Sequence, residues 1–120
     1  MTGEGPILRV VRMAFRPEAC EAFDALFRST QARIAAAPGC CGVTCLPDVE
    51  GGSGRTTLSV WRSVRDLEQY RESALFRAVW AETKPGFSAP PVAWSMPVDA
   101  AFIAAAEAYL GAPNDSPCWP

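Results

Sequence analysis

The sequence predicts an α+β fold of the ferredoxin-like, split β-α-β kind: an antiparallel four-stranded sheet with two helices on one face. Two observations carry this. The apolar pattern changes period along the chain, in the order strand, helix, two strands, helix, strand. The breaks between segments fall where Pro and Gly gather, at Pro38-Gly39, Gly51-Gly52 and Pro85-Gly86. With right-handed crossovers, that order of elements gives the split β-α-β arrangement.

Each element has its own signal. Ile7–Phe15 is a short β-branched and apolar run in which Arg9 and Arg12, three apart, point to opposite faces, so this strand is covered on both sides. Pro17 and Glu18 suit the first turn of a helix. Its stripe Ala19, Ala22, Phe23, Leu26, Phe27, Thr30 and Ile34 runs toward Ala36. Cys40–Leu46 reads as the second strand, with Cys41, Val43 and Cys45 on one face and Gly42, Thr44 and Leu46 on the other. The segment Pro47–Gly54 is a hairpin connection. It lacks a phosphate-loop signature, and no helix follows it directly.

Arg55–Arg62 alternates as a third strand. Thr56, Leu58 and Val60 share one face; Arg55, Thr57, Ser59 and Trp61 share the other. Alternation assigns the first set to the core and the second to a cavity wall. Ser63 with Asp66 three residues on is a capping signal, and Ser73 is a second one that would divide the following helix. Pro91–Met96 reads as a short strand at a sheet edge, because proline cannot donate to a ladder. Asp99 caps an Ala-rich helix over Ala100–Leu110, with Phe102, Ile103, Ala106, Tyr109 and Leu110 as its apolar stripe. The expected organisation is a leader over residues 1–6, one domain over 7–97, and a helix with an extended tail over 98–120.

Composition narrows the function. The 120 residues carry a net charge of −2 and no basic stripe, which argues against nucleic acid. No apolar run is long enough to cross a membrane and no signal peptide is visible, so a cytoplasmic protein is expected. The five cysteines are odd in number and follow no metal-binding spacing. Cys41 and Cys45, on one strand face, would sit about 13 Å apart at ~3.3 Å per residue, too far for a disulfide. They read as small apolar residues in a reducing compartment. The chain has no His. That removes a Ser–His–Asp triad, a His-bound metal and a proximal haem ligand. No haem, flavin or metal is expected.

Two helices on one sheet face leave the other open. That face would present Leu8, Val10, Leu46, Trp61 and Val92 or Trp94, more apolar surface than a monomer usually exposes. A two-fold homodimer with sheets meeting face to face covers it. The core between helices and sheet is expected from Val43, Cys45, Leu58, Val60, Phe23, Phe27, Leu67 and Phe76.

The stretches ILRVVRMAFRPE, APGCCGVTCLPD, LSVWRSVRDLEQYRESALFRAVWAETKPGF and PVAWSM, over roughly residues 7–96, resemble the antibiotic biosynthesis monooxygenase domain of the dimeric α+β barrel superfamily. The resemblance implies a dimeric α+β barrel. It also implies a monooxygenase using neither metal nor flavin, in which an electron-rich phenol reacts with O₂ as its anion in the barrel cavity. On this reading Trp61 matches the family's pocket Trp, and Arg12 occupies the first-strand position of a polar pocket residue. Tyr70 and Arg71 lie on the helix after the Trp. Arg12, Trp61 and Tyr70 are then the catalytic candidates. Val10, Ala14, Thr44, Ser59, Arg71 and Trp80 are the substrate-binding candidates, for a small aromatic ligand. Arg12 would pair with the phenolate and Trp61 would stack on the ring. The sequence departs from the family in lacking the helix His of its haem-degrading members and the first-strand Asn of its quinone-forming members. A barrel that holds a small ligand without chemistry, or a purely structural dimer, is the alternative.

Overall fold

The computed structural model describes residues 5–110. The stretch Asn114–Pro120, expected as an extended tail with Cys118 and Trp119, lies outside the described residues, as do residues 1–4 of the expected leader. The strands are β1 (Ile7–Phe15), β2 (Cys40–Pro47), β3 (Gly54–Trp61) and β4 (Phe87–Pro97). They form one antiparallel sheet in the order β2-β3-β1-β4. This is the ferredoxin-like arrangement, with β4 at an edge. β4 is longer than its apolar pattern suggested. It accommodates Pro90 and Pro91 because it pairs on one side only, and the register slips there, between Arg12↔Val92 and Ala14↔Ala89.

A single 3₁₀ turn, Pro17–Ala19, leads into α1 (Cys20–Ala35), which buries Phe23, Phe27, Thr30, Gln31 and Ile34. The second helical region is two helices, α2 (Val64–Arg71) and α3 (Ala74–Thr83). Each begins at a serine whose hydroxyl accepts a backbone N–H: Ser63 Oγ from Asp66 at 3.1 Å, and Ser73 Oγ from Phe76 at 3.2 Å. The break at Glu72–Ser73 lets the chain turn so that both segments face the same cavity.

Cross-strand partners fix the two faces of the sheet. Arg9↔Ser59, Val11↔Thr57 and Ile7↔Trp61 belong to the face beneath α1–α3. Leu8↔Val60, Val10↔Leu58 and Arg12↔Thr56 belong to the opposite face, with Trp94 and Val92 of β4 beside Val10 and Arg12. The core under the helices is Met13, Phe15, Phe23, Phe27, Ile34, Val43 and Cys45, continued by Ile7, Trp61 and Leu67.

Five of the expected core residues lie there: Val43, Cys45, Phe23, Phe27 and Leu67. Phe76 lines the cavity above them. Leu58 and Val60 do not belong to this core, and Trp61 does not lie on the open face: the faces of β3 are the reverse of the alternation reading. The reason is polar satisfaction. The Arg55 guanidinium is bidentate on Asp24 of α1 at 2.7 and 2.9 Å, and it donates to the carbonyls of Gly52 and Gly54 at 2.9 Å each. Trp61 Nε1 donates to Ser59 Oγ at 2.9 Å. A polar strand face can be buried when each of its groups has a partner.

The outer face is apolar for a different reason. α4 (Ala100–Tyr109), capped by Asp99 Oδ1 accepting from Phe102 N at 2.9 Å, lies across its β2–β3 end. Ile103, Ala106 and Leu110 pack there on Cys41, Val60 and Leu8. A bulge between Cys40 and Gly42 turns Cys41 to this side and separates it from Val43 and Cys45, with which alternation had grouped it. Gly42 permits the approach, since a Cβ there would stand 2.7 Å from that of Leu110. Arg62 pairs with Glu107 at 2.9 Å. Phe102 and Tyr109, expected in the stripe, are exposed. The β1–β4 end of the face stays uncovered, with Val92 and Trp94 each 50% exposed.

Candidate functional site

A cavity of about 290 Å³ lies between the inner sheet face and α1–α3. Its floor is built by residues of all four strands: Arg9, Val11 and Met13 of β1, Thr57, Ser59 and Trp61 of β3, Val43 of β2, and Pro91 and Ala93 of β4. α2 contributes Leu67, Tyr70 and Arg71 at one end, and α3 contributes Phe76, Val79, Trp80 and Thr83 above. These α3 positions recur at three- and four-residue steps, so one helix face supplies the roof. Phe23, Phe27 and Ile34 of α1 close the back.

One wall is a chain of aromatic contacts. Trp61, fully buried, stacks on Tyr70 with ring centroids 5.1 Å apart and planes at 27°. Tyr70 meets Phe76 edge-on at 5.3 Å, and Phe76 stacks on Trp80 at 5.7 Å. Such a wall favours a flat apolar ligand. The indole N–H is already committed to Ser59 and the ring has no exposed surface, so Trp61 backs the Tyr70 ring and is not a donor to the cavity.

The charges lining this cavity are Arg9 and Arg71; no carboxylate does. Arg9 is half-buried on β1, and its Nη1 donates to Ser95 Oγ at 3.1 Å. Desolvation, then the charge of Arg71, lowers its pKa. Arg71 ends α2 at the exposed rim. The Tyr70 phenol is pushed up to about 12, first by burial and then by Cys40. It therefore keeps its proton at neutral pH and serves as a hydrogen-bond donor, not a base. Burial likewise raises Cys40 to about 11 and Cys45 to about 12, so neither is a ready thiolate. Among the described residues no group of three or more His, Cys, Asp or Glu could hold a metal ion, and no helix is long and apolar enough to cross a membrane.

The residues singled out from the sequence divide between the two faces. Trp61, Tyr70, Ser59, Arg71 and Trp80 line the cavity together. Arg12, Val10, Ala14 and Thr44 lie on the outer face, paired across the sheet with Thr56, Leu58 and Gly54. Arg12 and Trp61 therefore do not share a pocket. The Arg12 guanidinium is bidentate on Asp48 at 2.6 and 3.0 Å, and Asp48 also accepts Gly54 N–H at 3.1 Å, which ties the β2–β3 connection to β1. The hydrogen bonds from Arg12 hold the Asp48 carboxyl below its usual range. The sequence reading missed Arg9, Met13 and Phe76. Arg9 had a signal: it is the other charge of β1, three residues from Arg12 and so on the opposite face.

The family model for antibiotic biosynthesis monooxygenases matches residues 6–82, more than half of the chain. The chain belongs to this family. Solved structures of similar fold include a protein of Caulobacter crescentus named for the family, at a TM-score of 0.75 and 20% identity over 81% of this chain and 92% of that one. Rv0793 from Mycobacterium tuberculosis follows at 0.73 and 22%, over 81% and 99%. A conserved protein from Methanosarcina mazei superposes at 0.73 and 18%, over 81% and 96%. At these identities the likeness is one of fold. No curated protein matches the chain. The family match ends at α3, so it includes the Trp61–Tyr70 wall but neither β4 nor α4.

Proposed function

We propose that this chain is a monooxygenase that oxidises a small phenol or hydroquinone with O₂ in the cavity beneath α2 and α3, without a resident metal or flavin. The observation that carries the reading is the cavity itself: an aromatic wall of Trp61, Tyr70, Phe76 and Trp80 beside two guanidinium groups. Family membership supports the reaction class. The site differs from the one expected from the sequence, since it lies inside each protomer and Arg12 takes no part.

The chemistry asked of the protein is modest. A phenol or hydroquinone with a ring hydrogen ortho or para to a hydroxyl reacts with O₂ to give a quinone and one water. One oxygen atom joins the ring, the other leaves in the water, and the ring is oxidised as O₂ is reduced. The reactive form is the phenolate. Arg9 and Arg71 favour that anion, and lowering a phenol pKa by ~2 units corresponds to ~2.7 kcal/mol. Tyr70, still protonated, donates to the phenolate oxygen. Trp61, buried behind Tyr70 and stacked on it, holds that ring in place against the substrate.

The partner is a second copy of the chain, meeting the uncovered β1–β4 end of the outer face. Trp94 and Val92, each half-exposed, and Met96, also exposed, form the apolar patch that supports this. Oxygen-electrode measurements with hydroquinones and naphthols test the activity. Uptake of one O₂ per quinone formed, with one oxygen atom gained by the ring and no hydrogen peroxide released, and sharply reduced by Tyr70→Phe, is expected. No uptake across the panel would remove the enzyme reading and leave a ligand-binding barrel.

A further inference from the structure

We infer that the substrate carries a carboxylate in addition to its oxidisable hydroxyl, and that Arg9 and Arg71 together form the clamp that selects it. This rests on the cavity being the phenol site proposed above and adds the chemical class of the ligand.

The argument is one of charge. The chain as a whole is acidic, at −2, yet the charges lining its cavity are two arginines. Four arginines away from the cavity pair with carboxylates: Arg12 with Asp48, Arg16 with Glu18, Arg55 with Asp24 and Arg62 with Glu107. Arg9 has a serine hydroxyl, and neither Arg9 nor Arg71 forms an ion pair among the described residues. Their mutual repulsion registers on Arg9, whose proton Arg71 disfavours. Two like charges at one partly desolvated wall are unfavourable until an anion arrives. A phenolate alone brings one negative charge and leaves the wall at +1. A hydroxyaryl carboxylate brings a second and neutralises it. The planar guanidinium fork matches a carboxylate in bidentate geometry, which a single phenolate oxygen cannot fill. The cavity, at about 290 Å³, limits the aromatic part to one or two rings.

The test is calorimetric binding of salicylate, of its uncharged counterpart salicylamide, and of the non-aromatic cyclohexanecarboxylate. Wild-type protein is expected to bind salicylate at least tenfold tighter than salicylamide, with the advantage shrinking as salt is raised. Arg9→Gln and Arg71→Gln should each remove most of that advantage, lowering salicylate affinity by a larger factor than salicylamide affinity. Arg71→Lys should restore part of it. Arg12→Gln removes the same charge on the other sheet face and should leave the advantage intact. Equal binding of salicylate and salicylamide, or no binding of either, overturns the clamp. Cyclohexanecarboxylate binding as tightly as salicylate upholds the clamp and tells against the aromatic-oxidation reading. The two failures separate cleanly, because O₂ uptake with uncharged hydroquinones proceeds whether or not a carboxylate is selected.

Discussion

Replacing Asp24 by Ala should destabilise the protein by ~3 kcal/mol, because it strips the partner from a buried charge. The Arg55 side chain is 8% exposed and sits on the inner face of β3, six residues before the end of the strand at which Trp61 forms part of the cavity wall. Asp24 accepts two of its hydrogen bonds, from Nε and Nη2; the carbonyls of Gly52 and Gly54 accept the others from Nη1. Breaking a buried pair by deleting one partner costs ~3–5 kcal/mol. The two carbonyls stay in place and Asp24 itself is 17% exposed, which puts this case at the lower end. Asp24→Asn keeps an acceptor and should cost less, ~1–2 kcal/mol. Arg55→Met removes the charge instead of orphaning it, so the double variant Asp24→Ala/Arg55→Met should recover much of the loss. Urea unfolding followed by circular dichroism measures all four proteins, and the cycle isolates the coupling. A loss below 1 kcal/mol for Asp24→Ala would mean that Arg55 reaches water, and the assignment of β3's polar face to the helix side would fail with it.

Three further outcomes are expected. Trp94→Glu places a charge on the uncovered sheet face and should convert the proposed dimer to a monomer of unchanged helix content; a dimer of unaltered mass in light scattering would relocate the interface. Stability should fall as pH rises above about 9, because Cys40, Cys45 and Tyr70 all hold their protons more tightly folded than unfolded, so the unfolded chain releases protons first. Tyr70→Phe should flatten the upper part of that decline, toward pH 12, in melts recorded across the range. Gly42→Ala should push α4 off the sheet, since its Cβ would meet Leu110, and faster hydrogen exchange around Leu110 with little change at Phe27 would register it.

Much of the fold was legible because each element carried a local signal. The Ser63, Ser73 and Asp99 hydroxyl or carboxyl caps all form as their spacing implied. The prolines of β4 placed it at an edge, and the element order gave the topology. Trp61 and Tyr70 were named together only through the family resemblance, since alternation turned Trp61 away from the helix that carries Tyr70. What local pattern could not determine was which face of β3 meets the helices. Alternation reports which face is more apolar, and here both faces are covered. Satisfying Arg55 takes Asp24 from a helix 31 residues earlier, and covering Val60 takes Ala106 from a helix after the last strand. Those partners meet only in the folded chain. The same holds for the cavity charges: Arg9 and Arg71 are 62 residues apart and become one wall only when β1 runs beside β3 and α2 folds over it. The sequence by itself determined the elements, their order and the family. Tertiary structure alone decided the sides of the sheet and the charge of the site, because those depend on groups from distant segments satisfying one another.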